Sequence, residues 1–324
     1  MFKENISLAT LGSYRIGGPA RYFSMPQTMA GLAGAIREAK KNNLDMFVLG
    51  GGTNVLPKDD GFEGLVLKPD LRDLAVSGEN ISAGAGVPMA ELLNYSITHS
   101  LSGLEWAGGL PGTLGGAIRG NAGAFGGEMK DVVKSVRSIH TDTLEEIERE
   151  ASACDFEYRS SVFKKANGRE IITSAVLRLK KGDLSDIRRI TMERIAYRET
   201  RHPMEYPNIG SIFKNVPVPQ IDADIAQINA DTINVNPRGD QRISAFTAPV
   251  KNDPFPVVPA AYLISEAALK GVSFGGAMIS PKHPNFIVNV LDAKASDVET
   301  LIGLVKNEVR KKFGVVLEEE IIRI

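Results

Sequence analysis

A single cysteine, Cys154, among 324 residues leaves no disulfide framework and no cysteine-rich zinc site. The four histidines, His99, His140, His202 and His283, show no metal-ligand spacing, so no metal is expected. No stretch approaches the roughly 18 consecutive apolar residues of a membrane span, and residues 1–10 lack the apolar core of a secretory signal. Together these predict a cytoplasmic protein without a membrane span. Charge of one sign is missing too: 38 basic residues face 39 acidic ones, a net charge of -1. That leaves no global field to gather nucleic acid, although a local anion site remains open. Composition is otherwise that of a folded chain, 43% hydrophobic and 24% charged, and the length suits two or three domains.

Glycine is the informative excess, with nine of the 21 residues from Gly108 to Glu128. Ahead of that cluster, Leu32, Ala35, Ile36 and Ala39 recur at helical spacing within 29–42, and the apolar run 45–49 reads as a strand ending in a glycine turn. Residues 64–68 and 80–83 read as further strands, and 88–100 as a helix with Pro88 in its first turn. After the cluster, 132–141 and 170–180 read as strands and 184–200 as a helix linking to a separate C-terminal region. Seven prolines interrupt 216–259, which carries no clean helical period and resembles an insertion. Helices resume at 260–268 and 294–312, with a short strand at 285–290 between them.

The turn from Leu49 to Leu56, with Gly50, Gly51, Gly52, Thr53 and Asn54, follows a strand and offers backbone N–H groups and two polar side chains. Such a turn can cradle a diphosphate. Its glycines do not fit the dinucleotide pattern G-x-G-x-x-G, and taken alone the turn fits a tight strand-to-loop connection equally well. The 108–128 cluster lets backbone lie against a large flat or anionic ligand where Cβ atoms would clash. Leu110, Leu114, Ile118 and Phe125 within it speak against a flexible linker, which would lack apolar anchors.

Six segments in order, Tyr14–Ala20, the 49–56 turn, the 108–128 cluster, 158–163 (Tyr-Arg-Ser-Ser-Val-Phe), 210–215 (Gly-Ser-Ile-Phe-Lys-Asn) and 282–289 (Lys-His-Pro-Asn-Phe-Ile-Val-Asn), resemble the UDP-N-acetylenolpyruvoylglucosamine reductases of peptidoglycan synthesis. The likeness spans nearly the whole chain except 216–259, in the shorter type without the tyrosine-loop insertion. It implies an α+β chain with an FAD-binding fold of the vanillyl-alcohol oxidase/PCMH type. Two subdomains, 1–68 and 69–183, would bind FAD, and a C-terminal α/β substrate-binding domain would cover 184–314. The strand 315–324 would return to the flavin region. It further implies a monomer in which NADPH reduces FAD and the enolpyruvyl sugar nucleotide then takes its place.

By the same resemblance, FAD is held by Arg15 and Gly17, by Gly50, Gly51, Gly52, Thr53 and Asn54, by Gly112, Thr113, Gly115, Gly116, Asn121 and Gly123, and by Ile172. Substrate is bound by Tyr158, Arg201, Lys214 and Asn215, and Arg159, Ser211 and Glu320 are catalytic. Hydride addition to the vinyl terminus builds negative charge on the neighbouring carbon and carboxylate, so the reaction needs a cationic fork and a proton source there. Arg159 suits the first task. Ser211 suits the second if a network drains its charge, with Lys214, Asn215 or a water as the expected partner. If 317–324 is a strand, Glu320 shares a face with Ile322 and Ile324, and that apolar row would raise its pKa. His283 reads as a loop residue rather than a base, and Cys154 as packed.

Two departures stand out. Arg201 occupies the position before His202-Pro203 where the family usually carries lysine; charge is kept, but a bidentate fork replaces a point charge. The segment 216–259 is too long for a plain connection, and reads equally as a lid or substrate wall and as a surface decoration. Two rivals remain: an oxidase of the vanillyl-alcohol oxidase type, and a nucleotide-binding homologue without activity. The first often anchors its flavin through His or Cys, and neither glycine cluster contains one. Arg159, Ser211 and Glu320 together tell against the second.

Overall fold

A computed structural model of the chain describes residues 2–218, 249–252 and 255–324. It divides into two compact units, Met1–Arg201 with Ile324, and His202–Arg323.

In the first unit, strands β1 (Lys3–Ser7), β2 (Pro19–Ser24), β3 (Met46–Val48) and β4 (Phe62–Leu67) form a sheet in the order β1-β2-β4-β3. β1 and β2 are antiparallel, while β4 runs parallel to both of its neighbours. The parallel pairing needs a crossover, and helix α1 (Met29–Lys41) supplies it. Thr28 caps this helix by accepting a hydrogen bond from Gly31 N at 3.1 Å. Its buried stripe is Leu32, Ala35, Ile36 and Ala39, the residues whose spacing predicts it. Leu32 and Ile36 are fully buried, which stabilises the packing by about 1.5–3 kcal/mol each.

The second sheet of this unit is antiparallel throughout, with β5 (Leu74–Ser77), β6 (Asn80–Gly84), β7 (Val133–His140), β8 (Glu146–Glu150) and β9 (Glu170–Arg178) in the order β8-β7-β9-β6-β5. Between β6 and β7 the chain forms α2 (Met89–Thr98) and then α3 (Leu114–Arg119), a six-residue helix inside the glycine cluster. β1, β2, β5, β8 and α3 are not anticipated above. β1 and β8 are mostly exposed edge strands, and α3 is too short and glycine-rich to show a helical period.

Helix α4 (Leu184–Arg201) corrects the expected boundary at 184. It belongs to the first unit, and the division falls after Arg201. Only Ile187, Thr191 and Arg198 are buried along it, too narrow a stripe to betray its packing in the sequence. What docks it is Arg198, whose Nε donates to the Gly108 carbonyl at 2.7 Å and whose Nη2 donates to the Trp106 carbonyl at 3.3 Å. The guanidinium also lies 5.1 Å from the Phe125 ring centroid. Gly108 is required here, since a Cβ on it would sit 2.7 Å from the Thr191 carbonyl oxygen.

The second unit contains β10 (Ser273–Phe274), β11 (Ala277–Ile279) and β12 (Ile287–Asn289) in one antiparallel sheet, with helices α5 (Ala260–Glu266) and α6 (Ala295–Phe313). α6 buries Val298, Leu301, Ile302, Val305 and Val309 and ends at Gly314 in the left-handed region, φ 71°. Most of the 216–259 segment lies outside the described residues, and so does the choice between lid and surface decoration. Its described ends pair with each other, Val216 opposite Val258 and Pro217 opposite Val257.

The C-terminal strand 315–324 is shorter than expected, although the chain end does return to the first unit through Ile324. Residues 315–323 belong to the second unit, and only Ile322–Arg323 forms a strand. Residues 318–320 are held by Lys214 N donating to Glu318 O at 2.9 Å and Glu320 N donating to Ile212 O at 2.8 Å. Ile324 alone joins the first unit, accepting from Lys58 N at 2.7 Å.

Candidate active site

The structure brings the two glycine clusters together in the first unit. A Cβ on Gly51 would lie 2.6 Å from Gly112 Cα, one on Gly50 2.9 Å from Thr113 Oγ1, and one on Gly112 3.0 Å from Thr53 Oγ1. Among the described residues, the N–H groups of Gly50, Gly51, Gly52 and Thr53 donate to no acceptor. Buried backbone donors are almost always paired, and Gly52 is buried. Four consecutive orphan N–H groups beside the start of α3 form a nest that fits a diphosphate. The chain therefore has the cradle that FAD requires.

The other expected flavin residues divide by what their side chains already do. Arg15 is exposed, with φ 56°, beside buried Tyr14, whose hydroxyl burial pushes far above its ordinary pKa. A Cβ on Gly17 would meet Pro57 Cβ at 2.6 Å. Asn121 is fully buried and occupied: Nδ2 donates to Glu128 Oε2 at 3.1 Å and to the Glu157 carbonyl at 3.0 Å, and Oδ1 accepts from Lys130 N at 3.0 Å. Its side chain is spent on holding the cluster in shape. Gly115 N donates to Ala85 O at 2.9 Å, and Ile172 is a buried residue of β9.

Arg159 has φ 56° and is half-buried, and its Nη2 donates to the Gly123 carbonyl at 3.0 Å. Its guanidinium carbon lies 5.0 Å from the Tyr158 ring centroid. The residue is thus aimed at the glycine cluster by backbone strain and two neighbours. Arg201 is the exposed last residue of α4.

In the second unit, Ser211 and Glu320 are brought together through the Glu320 N to Ile212 O bond. Phe213 and Glu319 form the neighbouring bridge, and Asn285 braces the turn, Nδ2 donating to Phe213 O at 2.8 Å and Oδ1 accepting from Phe213 N at 3.0 Å. Asn285 is a positioning residue that no motif reading singled out by role; only its place in the 282–289 segment marks it. Ser211 is half-buried, and its hydroxyl has no partner among the described residues. The expected partners are engaged elsewhere, Lys214 with Glu318 and Asn215 Oδ1 with the Ala260 amide at 3.2 Å. The continuous strand expected over 317–324, on which the apolar row beside Glu320 rested, is reduced to Ile322–Arg323. Neighbouring Glu319 is paired with Lys306 and Arg323, which hold its carboxyl below the usual range against the opposing effect of burial.

His283 packs its ring 4.7 Å from Phe286 and 5.3 Å from His202, and burial pushes its pKa down to about 4. The folded state therefore keeps it neutral where the unfolded chain, with a pKa near 6.5, takes up a proton. Stability is full above about pH 6.5 and falls by about 1.4 kcal/mol per pH unit down to about pH 4. Urea midpoints measured between pH 4 and 7 should show this slope, and His283→Asn should flatten it; an unchanged slope would refute the assignment.

No helix among the described residues is long and apolar enough to cross a membrane, and no group of three or more His, Cys, Asp or Glu among them could hold a metal.

Comparison with known proteins agrees with this division. A family model described as FAD binding domain matches residues 20–143, which include both glycine clusters. A second, UDP-N-acetylenolpyruvoylglucosamine reductase C-terminal domain, matches 202–324, starting where the second compact unit starts. Curated proteins named UDP-N-acetylenolpyruvoylglucosamine reductase are similar at full scale. That of Alkaliphilus oremlandii is 35% identical over 95% of this chain and 88% of its own length. That of Carboxydothermus hydrogenoformans is 36% identical over 98% and 92%. The crystal structure of the reductase from Thermus caldophilus superposes with a TM-score of 0.75 at 26% identity, covering 100% of this chain and 99% of that one. With a paired glycine cradle in one unit, a Ser211–Glu320 turn in the other, and relatives of this similarity along its length, the chain belongs to the UDP-N-acetylenolpyruvoylglucosamine reductase family.

Proposed function

We propose that this chain catalyses the NADPH-dependent reduction of UDP-N-acetylglucosamine enolpyruvate to UDP-N-acetylmuramate, acting in the cytoplasm as a monomer. The observation that carries the reading is the convergence of the two glycine loops on a set of unpaired backbone N–H groups. FAD supplies the chemistry of hydride transfer when bound, accepting it from NADPH and passing it to the vinyl terminus.

The remaining work belongs to side chains of the protein. Arg159 stays charged throughout and presents a planar fork to the substrate carboxylate, where charge develops. Ser211 donates a proton to the carbon next to that carboxylate. Lys214, Asn215 and Arg201 bind the sugar nucleotide, Arg201 through its phosphates. Glu320, whose backbone N–H donates to the carbonyl of Ile212 beside Ser211, is assigned the acid-base role of returning the proton to the serine. The glycine cradle orients the flavin, and its close backbone packing keeps water from the diphosphate side.

The test is spectroscopic. The purified protein should show a flavin absorbance that bleaches on adding NADPH and returns, without oxygen, on adding the enolpyruvyl sugar nucleotide. Return only with oxygen, or turnover of an alcohol instead, would favour the oxidase reading.

A further inference from the structure

Arg119 ends helix α3 in the middle of the glycine cluster, and its guanidinium donates to no acceptor and pairs with no carboxylate among the described residues. Burial alone pulls its pKa down, with no neighbouring charge to offset the effect. A desolvated cation without a partner costs free energy, and such groups are retained where a ligand completes them.

Its position says which ligand. Gly116 and Gly120 lie three residues before and one residue after Arg119 on the face of α3 turned away from buried Leu114, Ala117 and Ile118. A Cβ on Gly116 would meet nothing closer than Thr113 Oγ1 at 3.6 Å, and one on Gly120 nothing closer than Gly116 O at 3.7 Å. A flat group can lie on that face. The diphosphate nest is at the Thr113 end of the helix, and Arg119 lies roughly 9 Å further along the axis, six residues at about 1.5 Å each. At that end the Arg119 carbonyl accepts from Ser161 Oγ at 2.7 Å, two residues from Arg159. Arg119 therefore belongs to the reacting end of the cradle.

We propose that the Arg119 guanidinium lies against the ring system of bound FAD and favours its reduced form. This rests on the reading of the chain as an FAD enzyme. Hydride uptake from NADPH adds two electrons and one proton, leaving the ring with one negative charge that a fixed cation stabilises.

The test is a redox titration of the FAD-loaded protein, wild type against Arg119→Met and Arg119→Lys. In Arg119→Met, affinity for reduced relative to oxidised FAD should fall about 10-fold, which lowers the midpoint potential by about 30 mV for a two-electron couple. Arg119→Lys should recover most of the shift. The FAD-free full chain of Arg119→Met should melt no lower than wild type, because an unpaired cation has been removed; an arginine with only a structural role would lower it. An unchanged potential, or equal losses of affinity for both forms, would overturn the proposal. A wild-type protein that takes up no FAD would overturn the functional reading along with it.

Discussion

Ser211→Ala should lower kcat for the enolpyruvyl nucleotide by about 10²- to 10⁴-fold, the range for loss of a positioned general acid. Reduction of the flavin by NADPH should proceed at the wild-type rate in the same variant, because that half of the cycle needs no proton on the substrate carbon. Folding offers no competing explanation. Ser211 is half-buried and its hydroxyl is bonded to nothing among the described residues, so removing one oxygen should change stability by no more than about 0.5 kcal/mol. Stopped-flow absorbance separates the two halves. Wild-type turnover in the variant would remove Ser211 from the mechanism, and slow reduction by NADPH would mean that the substitution had disturbed the flavin. A serine is a weak acid, and Lys214 is bonded to Glu318 and Asn215 to the Ala260 amide, so neither expected partner is bonded to the Ser211 hydroxyl.

Gly51→Ala should leave the chain unable to hold FAD. Its Cβ would fall 2.6 Å from Gly112 Cα and 3.2 Å from Gly112 C, backbone against backbone, with no flexible side chain to yield. Forcing the two loops apart should cost about 1–3 kcal/mol of stability and dismantle the nest of N–H groups between them. The ratio of flavin to protein after gel filtration and the urea midpoint measure both effects. Gly116→Ala is the control, since its Cβ meets only Thr113 Oγ1 at 3.6 Å, and alanine favours a helix by about 0.8–1 kcal/mol over glycine. That variant should be as stable as wild type or more so, yet bind FAD more weakly if the flavin lies on α3. Full flavin content in Gly51→Ala would show that the paired loops are not the cradle.

Where the chain advertises an element, it does so through periodicity strong enough to survive in isolation. The apolar stripes of α1 and α6 were legible because each of these helices buries a broad face of four or more side chains. Helix α4 was legible as a helix but not in its allegiance. Its docking rests on one arginine meeting two carbonyls, and a charged residue in a sequence gives no sign that it will be buried. The C-terminal residues 315–321, Val-Val-Leu-Glu-Glu-Glu-Ile, carry no period-two alternation to report their state, and the backbone bonds that hold them come from Ile212 and Lys214, far away in the chain.

Glycine content and the order of six motifs, then, marked two loops as candidates for a large anionic ligand and by themselves pointed to the reductase family to which the chain belongs. Glycine leaves that mark because no other residue permits such close backbone approach. Only the tertiary structure decided which glycines meet across the two loops and which, like Gly108 against the Thr191 carbonyl, serve helix packing. It alone joined the turn at Gly50–Thr53 to the one at Gly112–Thr113, and it alone left Arg119 without a partner among the described residues. Contacts of this kind depend on distances between residues far apart in the chain, and no local pattern of side chains encodes them.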